Sequence, residues 1–114
     1  MIETIKTALD PLGYNVAVGD VDGPSSAERV VITDIWHEYP NEADNEPLTE
    51  AACADIWFCL YGDYRERIKS AEAALIKAGL IIEDSRFTGR DKETRLYMYT
   101  IMVMDKHIYN KEGL

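Results

Sequence analysis

The sequence predicts an α+β fold: an antiparallel sheet of about five strands packed by two helices, in the order α-β-β-β-α-β-β. Three observations predict it. The stretch DYRERIKSAEAALIKAGL (63–80) has helical apolar spacing with both a start and a stop signal. Several stretches rich in β-branched and aromatic residues alternate at period two. The segments between them are dense in Gly, Pro, Asn and Asp. No pattern repeats along the chain, and 114 residues suit one domain spanning 1–114. A compact chain of this length has a radius of gyration of roughly 13 Å.

Each element follows from its residues. Ile2, Ile5, Leu9 and Leu12 lie at helical spacing over 2–12, with Pro11 and Gly13 ending the run. YNVAVGDV (14–21) alternates Tyr14, Val16 and Val18 against smaller or polar residues and reads as a half-buried strand. DGPSSAE (22–28) is a turn. RVVITDIWHEY (29–39) is a second strand, and PNEADNEPLTE (40–50) a long acidic loop with no element of its own.

EAACADIWFCLYGD (50–63) is ambiguous. Its alanines favour a helix, whereas the run from Ile56 to Tyr61 favours a strand. A strand over about 51–61, broken by Gly62, fits better. One face then holds Ala52, Ala54, Ile56, Phe58 and Leu60, the other Cys53, Asp55, Trp57, Cys59 and Tyr61. Neither face is plainly polar, although antiparallel sheets commonly wet one side. Some second cover is therefore expected.

In the helix at 63–80, Asp63 is the N-cap and Glu66 completes a near capping box. Ile68, Ala71, Leu75 and Ala78 form the buried stripe, and Gly79 followed by Leu80 marks a Schellman stop. LIIEDSRF (80–87), a turn TGRDKE (88–93) and TRLYMYTIMVM (94–104) read as a hairpin. The last strand again has two apolar faces: Leu96, Met98, Met102 and Met104 on one, Tyr97, Tyr99, Ile101 and Val103 on the other. The tail DKHIYNKEGL (105–114) has no clear periodicity.

Composition narrows the function classes. The net charge of −9 argues against nucleic acid or an anionic membrane as a direct partner, since both require a basic footprint. No apolar run approaches the roughly 20 residues of a membrane span. MIETIKTALD lacks the basic and apolar regions of a secretory signal, so a reducing compartment and free thiols are expected.

Little catalytic chemistry is written in the chain. Cys53 and Cys59 are six residues apart, too far to bridge within one strand or one helix, and lack a C-x-x-C spacing. They read as small buried hydrophobes. His37 and His107 are too isolated to form a metal set. DVDG (20–23) begins like a calcium loop, but its glycine falls at position four rather than six. Asp55, amid apolar neighbours, has no second carboxylate or base near it in sequence. An interface salt bridge or a strand-edge position accounts for it better than catalysis. No catalytic residue, cofactor or metal is expected.

Charge is clustered. Arg65, Arg67 and Lys69 lie on the second helix, with Arg86, Arg90, Lys92 and Arg95 around the hairpin. Glu38, Glu42, Asp44, Glu46 and Glu50 line the acidic loop. Ordinary surface charge would account for both clusters. A sharper reading is a head-to-tail contact between neighbouring copies, basic cluster on acidic loop. Such heterologous contacts close into rings.

The order of elements, the acidic Pro/Asn loop, the strand ADIWFCLYGDY (54–64), the capped helix ending AGL and the hairpin ending LYMYTIMVM together resemble the tail terminator or tail-completion proteins of long-tailed bacteriophages and prophages. The likeness covers roughly residues 2–105, and DIW…GDY (55–64) is its most distinctive piece. The start EAACA and the tail after Met104 depart from it.

The resemblance implies a structural virion protein forming a homo-oligomeric ring, usually of six copies. The ring would cap the tail tube and join it to the head connector. It also implies a place in the virion tail or neck, and in the bacterial cytoplasm before assembly. Partners would be other copies, the tail tube protein and the connector, with no sequence-specific nucleic acid and no membrane. An acidic chain suits a conduit that DNA passes without adhering. A small cytoplasmic binding module or dimeric adaptor is the alternative, and an enzyme using Asp55, Cys53 or Cys59 a third.

Overall fold

A computed structural model describes residues 1–19, 27–38 and 49–108, with backbone alone for Glu38, Thr49, Glu50, Lys106, His107 and Ile108. DVDG (20–23), most of the turn at 22–28, most of the acidic loop and the residues after 108 lie outside this description.

The chain runs α1 (Ile2–Leu9), a single 3₁₀ turn (Asp10–Leu12), β1 (Val16–Val18), β2 (Arg29–Glu38), β3 (Thr49–Leu60), α2 (Tyr64–Lys77), β4 (Ile81–Arg90) and β5 (Tyr97–Ile108). The expected order and the α+β class hold. The five strands form one sheet in the order β1-β2-β3-β5-β4. One pairing departs from the antiparallel expectation: β1 runs parallel to β2, with Val16 opposite Val30. A parallel neighbour cannot be joined by a two-residue hairpin.

Both helices lie on one face of the sheet. Ile5 and Leu9 of α1 and Ile68, Ala71 and Leu75 of α2 pack into one core with Ile56, Phe58, Ile101 and Val103. All nine are essentially inaccessible to solvent. Ala78, expected in the α2 stripe, is exposed instead, because it is the helix C-cap. Asp63 occupies the N-cap position, but its side chain makes no capping hydrogen bond, so the expected capping box is not formed.

The Schellman stop is present. Gly79 has φ +95°, its N–H donates to the Ile76 carbonyl at 2.9 Å, and the Leu80 N–H donates to the Leu75 carbonyl at 3.1 Å. The reversal places Leu80, 3% exposed, back in the core.

Strand limits differ most at the polar ends. β4 continues to Arg90 through residues expected to turn, and the reversal lies at 91–96. There the Asp91 N–H donates to the Leu96 carbonyl at 2.9 Å. Bulges at Glu83 and Thr88 allow β4 to keep pairing with β5. As an edge strand it can carry Thr, Gly and Arg without burying them. β5 extends to Ile108 because Thr49–Ala52 pairs alongside it, beginning with Thr49 opposite Ile108. These long strands give a radius of gyration of 15.7 Å and a longest extent of 53 Å, more drawn out than a compact chain of this length.

Candidate functional site

Register identifies what lies on the face of the sheet away from the helices. Directly opposed residues in antiparallel strands share a face. Read across β2, β3, β5 and β4, four rows result. They are Arg29–Cys59–Met98–Gly89, Val31–Trp57–Thr100–Arg86, Asp34–Asp55–Met102–Asp84 and Trp36–Cys53–Met104–Ile81. The bulge at Thr33 in β2 creates the third and fourth rows. Without it Asp34 and Trp36 would point towards the helices, since a one-residue slip reverses every later side chain.

This face is bare, in that no helix among the described residues covers it, and it is rich in large apolar side chains. It holds both tryptophans of the chain and three of its four methionines. Trp36, Trp57, Met98, Met102 and Met104 are half-buried. Val31, Cys53 and Cys59, on the same face, are 4%, 1% and 1% exposed. Both cysteines are buried and neither is disulfide-bonded, as their sequence context predicts, and burial pushes the Cys59 thiol above its ordinary range.

Six polar residues interrupt the face: Arg29, Asp34, Asp84 and Arg86 on the flanking strands, and Thr100 and Asp55 on the two central ones. Thr100, 9% exposed, has a buried hydroxyl oxygen with no hydrogen-bond partner among the described residues. Asp55 sits mid-strand in the central β3, not at a strand edge. Its carboxyl is raised above the usual aspartate range by burial first and then by the Asp34 carboxylate. Arg86 opposes the shift and Asp84 adds to it. Asp84 pairs with Arg86 at 3.3 Å. Sequence reasoning missed this row because Asp34, Asp55 and Asp84 are far apart along the chain. The alternation within each strand carried the signal, but only the pairing register aligns them.

A second surface lies on the helix side, where α2 begins over the end of β4 and β5. Tyr64 stacks on Tyr97 at 4.6 Å between ring centroids, and Phe87 lies 5.5 Å from Tyr64. The Arg65 guanidinium lies 5.6 Å from the Tyr64 ring centre and that of Arg90 5.1 Å from Tyr97. Phe87 is 47% exposed. A cleft of about 570 Å³ adjoins this shelf between α2 and β4. In it Ser85 Oγ donates to Glu72 at 2.5 Å and lies 3.2 Å from the Tyr99 hydroxyl, which ties the helix to the strand.

The charged residues singled out by sequence separate into three groups. Arg65 and Arg90 flank the aromatic shelf. Arg86 turns to Asp84 on the bare side, and Arg95 lies exposed in the 91–96 reversal with φ +65°. Arg67 is engaged within the chain: it forms a two-pronged ion pair with Glu28, with one contact at 3.1 Å, and lies over the Tyr14 ring. Glu28 also accepts from the Tyr61 N–H at 2.7 Å. Arg67 is therefore not a free member of the basic cluster. Glu42, Asp44 and Glu46 lie outside the described residues, and Glu38 is described by its backbone alone.

Among the described residues, no three His, Cys, Asp or Glu side chains gather as a metal set. No helix among them is long and apolar enough to cross a membrane. Compared with known protein families and curated proteins, the chain matches none.

Proposed function

We infer that this chain is a structural assembly protein whose copies associate through the bare face of the sheet. We assign it the role of a ring-forming tail terminator of a long-tailed phage or prophage, joining the tail tube to the head connector. The observation that carries the self-association is the helix-free face with Trp36, Trp57, Met98, Met102 and Met104. Apolar patches of this kind mark interaction surfaces, and a partner's cover would remove them from water. The tail assignment rests on the sequence resemblance. In this reading the protein is non-catalytic, needs no cofactor and resides in the virion tail or neck after assembly from the cytoplasm.

Light scattering and negative-stain imaging of the purified chain test the reading. A closed ring, of about six copies by the resemblance, that binds the ends of tail tubes is the expected result. A dimer without affinity for tube ends would favour the adaptor reading. A chain that stays monomeric at high concentration and ignores tube ends would overturn both.

A further inference from the structure

Two surfaces of this chain complement each other. We propose that the bare sheet face seats a second copy of this chain, which lays its aromatic–arginine shelf, Tyr64 and Phe87 flanked by Arg65 and Arg90, against the Asp34–Asp55 pair between Trp36 and Trp57. This deepens the assembly reading and rests on it, naming the two surfaces that meet.

Charge complementarity selects the occupant. Asp34 and Asp55 are opposed across β2 and β3, and among the described residues neither meets a cation at ion-pair distance. On the shelf, Arg65 and Arg90 lie over rings, and neither forms an ion pair among the described residues. Arg86 acts on Asp55 without pairing to it, and Glu66 lies near the shelf. Yet among the described residues the Asp34–Asp55 pair has no ion-paired cation and the shelf arginines no ion-paired carboxylate.

Other arrangements of two copies fit less well. A two-fold pairing of bare faces about an axis through the shared Asp34–Asp55–Asp84 row would set that row against its own copy, which like charge opposes. Edge-to-edge pairing through β4 meets bulges at Glu83 and Thr88, devices that discourage strand addition. The size is modest. Four strands about 4.8 Å apart, with about eight residues rising about 3.4 Å each, offer roughly 500 Å². Two partners would bury about 1,000 Å² in total, the lower end for a specific interface. Because one copy uses its helix side and the next its bare side, the contact is heterologous and propagates until it closes.

Two variants of the full chain test this: Asp34→Arg on the face, and Arg65→Glu with Arg90→Glu on the shelf. All three substituted side chains are exposed, and circular dichroism confirms folding. Sedimentation velocity should show the wild type assembling and each variant weakened at least tenfold. Mixing the two variants should restore association, since each supplies the surface the other lacks. Trp36 and Trp57 are the chain's only tryptophans, so tryptophan emission, excited selectively over the tyrosines, reports on this face. Emission should shift to the blue with concentration in the wild type and in the mixture, but in neither variant by itself.

A wild-type oligomer that persists in both variants, or that forms without the fluorescence shift, overturns this pairing and leaves the ring reading standing. A wild type that remains monomeric at every concentration overturns both.

Discussion

Asp55 lies directly opposite Asp34 on neighbouring strands, on the side of the sheet that faces away from α1 and α2. Like charges in that position repel at close range. Burial and the Asp34 carboxylate together raise Asp55 above the ordinary value of 3.8. A carboxyl raised in the folded state contributes stability that is complete below the unfolded value and is lost as pH rises through the folded one.

Replacing Asp55 by Asn should therefore stabilise the isolated protomer at neutral pH by about 0.5–1 kcal/mol, the scale of opposed like charges on paired strands. The gain should vanish below pH 3.8, where the aspartate is protonated in both states. Urea unfolding at pH 7 and pH 3, at concentrations too dilute for assembly, measures it. Equal gains at both pH values would mean that charge is not the cause.

Glu28 behaves in the opposite sense. The hydrogen bond from Arg67 holds its carboxyl below the usual value of 4.5, aided by the Tyr61 N–H. This stability is present above the unfolded value and is lost as pH falls through the folded one. Glu28→Ala should cost about 0.5–1.5 kcal/mol at pH 7, modest because both side chains are about a third exposed. The cost should shrink in acid, and denaturant melts of the two proteins across that range would reveal it.

Gly79 ends α2 with φ +95°. A Cβ built there meets no atom within 4 Å, so only the backbone resists substitution. Gly79→Ala should cost about 1 kcal/mol and lower the Tm by several degrees. Gly79→Asn should cost less, because Asn enters the left-handed region more readily. Equal melting of wild type and the alanine variant would contradict this account of the stop.

Thr100 carries a buried oxygen unpaired among the described residues. Thr100→Val replaces the hydroxyl by a methyl of similar shape and should stabilise the isolated protomer by about 1 kcal/mol. Thermal unfolding at low concentration provides the measurement. A loss of stability would show that the hydroxyl is already satisfied within one chain.

The local features legible in the sequence are those set by near neighbours along the chain. The Ile68–Ala71–Leu75 stripe, the Gly79 stop and the period-two alternation of 54–60 each depend on contacts within a few residues. Their predicted faces match the sheet, including the two apolar sides of β3 and β5. The polar ends were less legible. Thr88–Arg90 and Asp105–Ile108 have turn-like or unpatterned composition, yet they continue as strands because a long partner pairs beside them. Arg67, grouped by sequence with the other cations, is withdrawn by Glu28, which lies 39 residues away.

By itself the sequence determined the α+β class, the order of elements and the excess of apolar side chains on the third and last strands, because spacing and composition act locally. Only the tertiary structure decided that both helices cover one side of the sheet, that β1 runs parallel to β2, and that Asp34, Asp55 and Asp84 share a row with Met102. Those outcomes depend on strand register and on bulges such as that at Thr33. One extra residue there reverses every side chain beyond it, and only pairing with a distant strand makes that reversal favourable.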